Sequence, residues 1–337
     1  MKLRYYILQR IGLMIPVLIG LSIITFSVSH LVPGDPVGLA AGPGSTPAQL
    51  NAIRKQFGMD KPLPIQYLTY MRDTLRGNLG HSLMSGHKVL PDLAIFFPNT
   101  LELVLVSMAL AIGIGIPLGV IAAVNRNRWP DQVARIFALG FISVPAFWLA
   151  IVLQIVLAMS LHLLPVGGLY DAHQAAPPSR TGFFLLDSLL SGNLSLFGSS
   201  LQHLVLPATT LALGPIAFIM RILRSSVLET LHRDWVKMLR SNGIPERVIL
   251  FKYVLKNSLI ATVAVIGFIF GYSLGGSVVI ETVFDWPGIG LYAVNSALTL
   301  DFQPIMGITI FVGLLFCFVN LATDLIYGAL DPRIRYG

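Results

Sequence analysis

SNGIPERVILFKYVLKNSLIATVAVIGFIFGYSLGGSVVI, residues 241–280, joins two unlike halves. The second half, 258–280, runs 23 residues without a charged side chain. About 20 apolar residues suffice for a helix to cross the hydrocarbon core of a bilayer. The first half carries Glu246, Arg247, Lys252 and Lys256 and is interrupted by Asn242-Gly243-Ile244-Pro245. A membrane span thus abuts a basic, broken, helix-forming segment, and the rest of the chain must explain that pairing.

Five more apolar runs lie at about 11–32, 103–124, 136–161, 204–220 and 304–323. The run at 204–220 is short and begins LVLPATT, which predicts a kinked or tilted span. Only 12% of the 337 residues are charged and 55% are hydrophobic, where a soluble domain carries about 25% charged residues. The expected fold is an all-α integral membrane protein with six transmembrane helices. The first run is too long for the apolar region of a signal peptide, and Pro33-Gly34-Asp35-Pro36 follows it, so it reads as a retained span. The lone Cys317 sits in an apolar run and offers no disulfide or metal framework.

The distribution of Lys and Arg assigns sides. Sixteen fall in the N-terminus, the second-to-third and fourth-to-fifth connections and the C-terminus, and seven fall in the alternate connections. The positive-inside rule then places both termini in the cytoplasm. The net charge of +7 is chiefly a topology signal and does not point to nucleic acid. The chain divides into an N-terminal cytoplasmic segment and first span (1–32), an extracytoplasmic helical insertion (33–98) and a core of spans two to six (99–337), with a polar connection over 225–257.

Within the insertion, Thr46 and Gln49 form a capping-box pattern, and Leu50, Ile53 and Phe57 fall at helical spacing. After Pro62 and Pro64, a second stripe comprises Ile65, Leu68, Met71 and Leu75; the two stretches read as a small helical cap packed on the bundle, with contact with an external partner as the alternative. The connection at 162–203 is rich in turn formers.

Several chemistries are missing from the pattern. There is no GxxxxGK[ST] phosphate loop, no HExxH, and no intramembrane GxSG. Glu102, Glu281 and Asp324 lie near span ends, where they are expected to reach water. Asn320 and Asp324 share a helix face, and helix-end pairing of Asp324 with Arg333 or Arg335 is expected. An ion-driven carrier would favour a deeper ionisable site. A passive pathway driven by another component fits better, and this chain reads as a transport subunit without an ATPase site of its own.

RSSVLETLHRDWVKMLRSNGIPERVILFKYVLKNSL, 224–259, reads as two helices with a break. The first ends near Ser241, and Asn242-Gly243 supplies a left-handed C-terminus. Pro245 suits the first turn of the next helix, and Glu246 complements its N-terminal dipole. A basic interfacial helix bound to anionic lipid is the simpler reading. The Gly-dependent turn favours a knob that docks in a partner's cleft.

This connection resembles the cytoplasmic coupling loop of the inner-membrane permeases of ABC importers, in the dipeptide/oligopeptide/nickel group. The resemblance rests on Arg221, Arg224, Ser225, Ser226, Val227, Leu228 and Glu229, then Arg240, Gly243 and Ile244, then Lys256, Asn257 and Ser258. Further matches follow in family order: Pro33-Gly34-Asp35-Pro36, Gly115-Ile116-Pro117-Leu118-Gly119, Val144-Pro145-Ala146-Phe147-Trp148, Glu281-Thr282-Val283-Phe284 with Trp286-Pro287-Gly288-Ile289-Gly290, and Asp324 with Asp331-Pro332-Arg333-Ile334-Arg335. The chain departs from the pattern before the turn, where Met238, Leu239, Ser241 and Asn242 replace small residues.

The resemblance implies a heterodimer with a second permease, two cytoplasmic ATP-binding subunits that hold ATP and Mg, and an extracytoplasmic solute-binding protein, in a bacterial or archaeal cytoplasmic membrane. No cofactor or metal is expected in this chain. The implied coupling residues are Arg240, Asn242, Gly243, Ile244, Pro245, Glu246 and Arg247. Glu281, Trp286, Pro287, Gly288 and Gly290 form either a Gly/Pro turn at the membrane surface or a re-entrant element lining the pathway. Di- and oligopeptides are the implied substrates; nickel, glutathione and oligosaccharides are alternatives within the group.

Overall fold

A computed structural model describes residues 3–42 and 44–330. Among the described residues the regular structure is helical, with one isolated bridge between His81 and Lys88. We number the helices α1 (Leu3–Leu31), α2 (Pro36–Ala41), α3 (Pro47–Gln56), α4 (Leu63–Leu75), α5 (Val89–Val124), α6 (Trp129–Ser143), α7 (Ala146–Ser160), α8 (Phe184–Leu190), α9 (Leu194–Leu231), α10 (Asp234–Ser241), α11 (Glu246–Val283), α12 (Ile289–Leu298) and α13 (Phe302–Leu330). Five of them, α1, α5, α9, α11 and α13, are long and apolar enough to cross a membrane, and α6 with α7 makes a sixth span if the bent pair counts as one.

The α6–α7 bend is 102°. Its cause is local. Val144 precedes Pro145, a position pushed out of the α region, and both residues are extended. The last two turns of α7, Gln154–Ser160, are wound as π-helix.

The short fourth run is a correction. The helix built on it, α9, extends ten residues before 204 and eleven beyond 220 to reach 38 residues. Its start, LSLFGSSLQH, reads as a loop because it is polar. In place, Asn193 caps it by accepting from the Leu196 amide at 3.0 Å. Ser200 and His203 turn back onto the Leu196 and Ser199 carbonyls, so these polar groups are satisfied within the helix. Pro207 and Pro215 lie inside α9 without breaking it.

The bundle centres on α5 and α9. Small residues let their backbones approach: a Cβ on Gly115 would stand 3.1 Å from the Ile216 carbonyl oxygen, and one on Gly119 3.0 Å from that of Met220. Close backbone contact of this kind is how helices associate in lipid, where burial gives little driving force. The short helices α2–α4, α8 and α12 gather at one end of the bundle, and α10 lies at the other.

In the insertion, the Thr46–Gln49 capping box is present. α5 begins at Val89, inside the stretch read as insertion. Of the second amphipathic stripe, Ile65, Leu68 and Leu75 on α4 are exposed and Met71 is half-buried, and the face carrying Gln66, Tyr67 and Tyr70 meets α1.

Candidate functional site

At the α10 end, three helices meet in place of the expected pair: the end of α9, the short α10 and the start of α11. α9 stops at Leu231, His232 and Arg233 break the chain, and α10 follows. The turn after α10 is built as expected and in more detail. Gly243 has φ +73, the left-handed region that favours glycine. Its amide donates to the Arg240 carbonyl at 2.9 Å, and the Ile244 amide donates to the Leu239 carbonyl at 3.2 Å. These two bonds make a Schellman motif, which pairs carbonyls the helix end would otherwise leave open. Pro245 stands just before the next helical turn rather than within it, and Glu246 begins that turn.

Arg240 closes the mouth of the turn by donating from Nε to Glu246 Oε1 at 2.6 Å. Both partners are largely exposed, so the pair adds on the order of 0–1 kcal/mol. Asn242, Gly243, Pro245 and Arg247 are exposed and Ile244 half-buried. Leu239, one of the departures before the turn, packs with Ile244 on a cluster formed by Val236, Val227, Leu223, Ile249 and Val120. Its bulk therefore anchors the turn to α9, α11 and α5. Met238 is the opposite case, at 59% exposed.

A buried ion pair sits nearby. Arg224 Nε donates to Asp131 Oδ1 at 2.6 Å, and its Nη2 donates to Asp131 Oδ2 at 2.8 Å. Asp131 is fully buried and also accepts from the Asn127 amide at 2.9 Å. This clamps α6 to α9. Sequence reasoning quoted Arg224 only as part of a family pattern and missed Asp131.

At the α12 end the structure brings Glu281, Trp286, Pro287, Gly288 and Gly290 together. The expectation that Glu281 and Glu102 reach water is overturned. Glu281 is fully buried and Glu102 is 5% exposed. Glu281 Oε1 accepts from Thr100 Oγ1 at 2.8 Å and from Ser277 Oγ at 2.9 Å. Its Oε2 accepts from the amides of Gly290 at 2.7 Å and Leu291 at 3.1 Å. The Ile289 amide donates to Thr100 Oγ1 at 2.9 Å. The first three amides of α12 are thus all paired by side chains from α5 and α11, and a carboxylate faces the positive end of the helix. The N-cap position itself, Gly288, has no room for a side chain, since a Cβ there would lie 2.3 Å from Thr100 Oγ1.

Asn99 completes the junction. Its carbonyl accepts from Trp286 Nε1 at 2.9 Å, and its Nδ2 donates to the Pro287 carbonyl at 2.8 Å. One turn further on, Glu102 accepts from the amides of Phe184 and Leu185 at 3.0 and 2.9 Å and so caps α8. One stretch of α5, Asn99-Thr100-Leu101-Glu102, therefore holds both short helices. The clue in the sequence was three polar residues within four at the head of an apolar run. Trp286 is 2% exposed, and these residues form a packed junction. A groove of about 530 Å³ opens elsewhere, between α5, α6 and α9, lined by Ile114, Leu118, Trp129, Phe137, Leu213 and Met220.

Asp324 pairs with Arg10 at 2.9 Å; Arg333 and Arg335, its expected partners, lie outside the described residues. Among the described residues no group of three or more His, Cys, Asp or Glu is placed to hold a metal ion.

An all-helical chain with five or six apolar spans, a built turn at one end and a carboxylate-capped junction at the other has the form of a multi-pass membrane transport component. Comparison with known proteins makes the class specific. The chain belongs to the binding-protein-dependent transport system inner membrane component family, which matches residues 115–336, and the N-terminal model of the same family matches residues 2–106. It is 44% identical over 329 residues to the probable D,D-dipeptide transport system permease protein DdpB of Escherichia coli (strain K12), covering 98% of this chain and 97% of that one. It is 37% identical over 332 residues to the di/tripeptide transport system permease protein DppB of Pseudomonas aeruginosa, covering 98% of both. DppB of Alkalihalophilus pseudofirmus, a dipeptide transport system permease protein, is 36% identical over 331 residues, covering 98% and 99%. A solved inward-facing structure of the MetNI methionine ABC transporter is similar to 69% of this chain and covers 93% of its own, at 18% identity and TM-score 0.49.

Proposed function

We propose that this chain is the permease subunit of an ATP-driven importer of di- or oligopeptides. A second permease completes the pathway, two cytoplasmic ATP-binding subunits hold ATP and Mg, and an extracytoplasmic binding protein delivers the solute. The excess of Lys and Arg supports cytoplasmic termini and an α10 end that faces the cytoplasm. The names of the similar proteins favour peptides over nickel, glutathione or sugars.

One observation carries the coupling assignment. The turn Arg240–Arg247 exposes its tip while its base, Leu239 and Ile244, is packed on α5, α9 and α11. A push on the tip is therefore a push on the central helices of the bundle. ATP drives transport only if ATPase closure has different affinities for two arrangements of that bundle. The junction of Glu281, Trp286, Pro287, Gly288 and Gly290 acts as scaffold for the opposite mouth.

The test is uptake in proteoliposomes carrying the assembled complex and its binding protein. A labelled dipeptide is expected to accumulate only when ATP is present on the α10 side. Accumulation driven by an ion gradient without ATP would mark a secondary carrier. No flux of any dipeptide with intact ATPase activity would remove the peptide assignment.

A further inference from the structure

We infer that α4, although part of the segment between the first two spans, lies within the bilayer and presents its outer face to lipid acyl chains. The inference starts from where α4 crosses α1. Phe26 of α1 packs against both Tyr67 and Tyr70 of α4, with ring centroids 5.3 and 6.2 Å apart. Tyr67 reaches further along α1, its hydroxyl 2.9 Å from Ser22 Oγ. His30 Nε2 and Gln66 Oε1 pair at 3.1 Å on the other side of the crossing.

The apolar span of α1 runs from Ile7 to Leu31. At 1.5 Å per residue, Phe26 lies about 7 Å and Ser22 about 13 Å inside the Leu31 end. The 25-residue span is about 37 Å long, about 7 Å more than a hydrocarbon core, so even with all of that excess at the Leu31 end Phe26 stands at the edge of one leaflet and Ser22 within it. A helix at that depth must satisfy its polar side chains within the protein. α4 does so in part: Tyr67 and Gln66 pair with Ser22 and His30 of α1, whereas the buried hydroxyls of Tyr70 and Thr74 have no partner.

The face turned away from α1 carries Ile65, Leu68 and Leu75, which are 48, 66 and 82% exposed, with the exposed Arg72 among them. It continues the apolar surface of α1 itself, where Ile15, Ile19 and Ile23 are exposed as well. The charged residues sit at the ends of the helix, with Asp60 and Lys61 before it and Arg72, Asp73 and Arg76 in its last turn. Arginines so placed bury their stems along lipid and keep their charges at the headgroups. An interfacial helix is recognised by this combination of an apolar face and terminal charge.

The experiment uses nitroxide labels on single cysteines replacing Leu68 and Leu75, in the full chain with Cys317→Ser, assembled with its partner subunits in nanodiscs. Power saturation compares collisions with oxygen, which concentrates in lipid, and with a water-soluble nickel chelate. At Leu68 oxygen is expected to be severalfold more effective than nickel, with a smaller excess at Leu75 beside the arginines. Nickel as effective as oxygen at both positions would place α4 in water and overturn the inference. Poor access of both reagents at Leu68 would mean that a protein surface covers the stripe, which overturns it equally. The readout is independent of transport, so it can fail while the peptide-importer assignment stands.

Discussion

Thr100 on α5 donates a 2.8 Å hydrogen bond to Glu281 on α11, across 181 positions of sequence, and both side chains are buried. The same carboxyl group caps α12, so three helices meet at one acidic side chain, whose two oxygens accept from four donors, two of them amides at the N-terminus of α12.

Removing that group should be costly. Glu281→Ala leaves the amides of Gly290 and Leu291 without acceptors. At about 1–3 kcal/mol for each buried unsatisfied group, the junction should loosen markedly. Thermal unfolding followed by circular dichroism is expected to shift down strongly in Glu281→Ala and less in Glu281→Gln, which keeps one acceptor. An unshifted Ala variant would show that the cap contributes nothing to the fold.

Two glycines separate crowding from helix propensity. A Cβ on Gly290 would stand 2.5 Å from Val278 Cα, a backbone atom that cannot rotate away. Nothing lies within 4 Å of the same position on Gly214 in α9. Gly290→Ala should destabilise, whereas Gly214→Ala should be neutral or gain about 0.5–1 kcal/mol. Melting temperatures in detergent that ranked the two the other way would contradict the α11–α12 packing.

The Asp131–Arg224 pair predicts strong non-additivity. Arg224→Ala leaves the fully buried Asp131 carboxylate with only the more distant Arg135, whose Nε is 3.6 Å away, as a cation, a loss of up to about 3–5 kcal/mol. Arg224→Gln combined with Asp131→Asn removes both charges and should recover much of it. A double-mutant cycle by chemical denaturation checks the coupling; additive effects would mean that the pair is solvated in solution.

Asp187 makes a pH prediction outside the spans. Its burial pushes the carboxyl up, but hydrogen bonds from the Thr181 hydroxyl and from the amides of Thr181, Arg180 and Gly182 outweigh this and hold it below the ordinary value. A depressed folded value means stability that is fully present above the unfolded carboxylate pKa and lost as pH falls through the folded one. The 180–190 segment should therefore resist proteolysis at neutral pH and open only in strong acid. Asp187→Asn should make its protease sensitivity high and independent of pH.

The apolar runs alone placed the spans, because lipid demands about 20 apolar residues whatever the packing. The Gly243 turn was equally legible, since few residues accept its backbone. Length and direction were harder. The polar start of α9 is helical only because its hydroxyls and His203 bond to their own helix. The packing face of α4 was not legible, because an apolar stripe is ordinarily a buried face, whereas in a bilayer it is an outer one. The position of Glu281 near a span end gave no hint of burial, because its partners, Thr100 and Ser277, lie on two helices whose contact no local pattern records.

Gly243 tests the coupling role most directly. In the assembled complex, dipeptide uptake per ATP hydrolysed should be measured for wild type, Gly243→Asn and Gly243→Val. Asn enters the left-handed region readily and Val does so poorly. The Asn variant is expected to keep most of its coupling, and the Val variant to hydrolyse ATP with uptake severely reduced. A Val variant that assembles normally and transports as well per ATP as wild type would contradict the assignment of this turn as the coupling element.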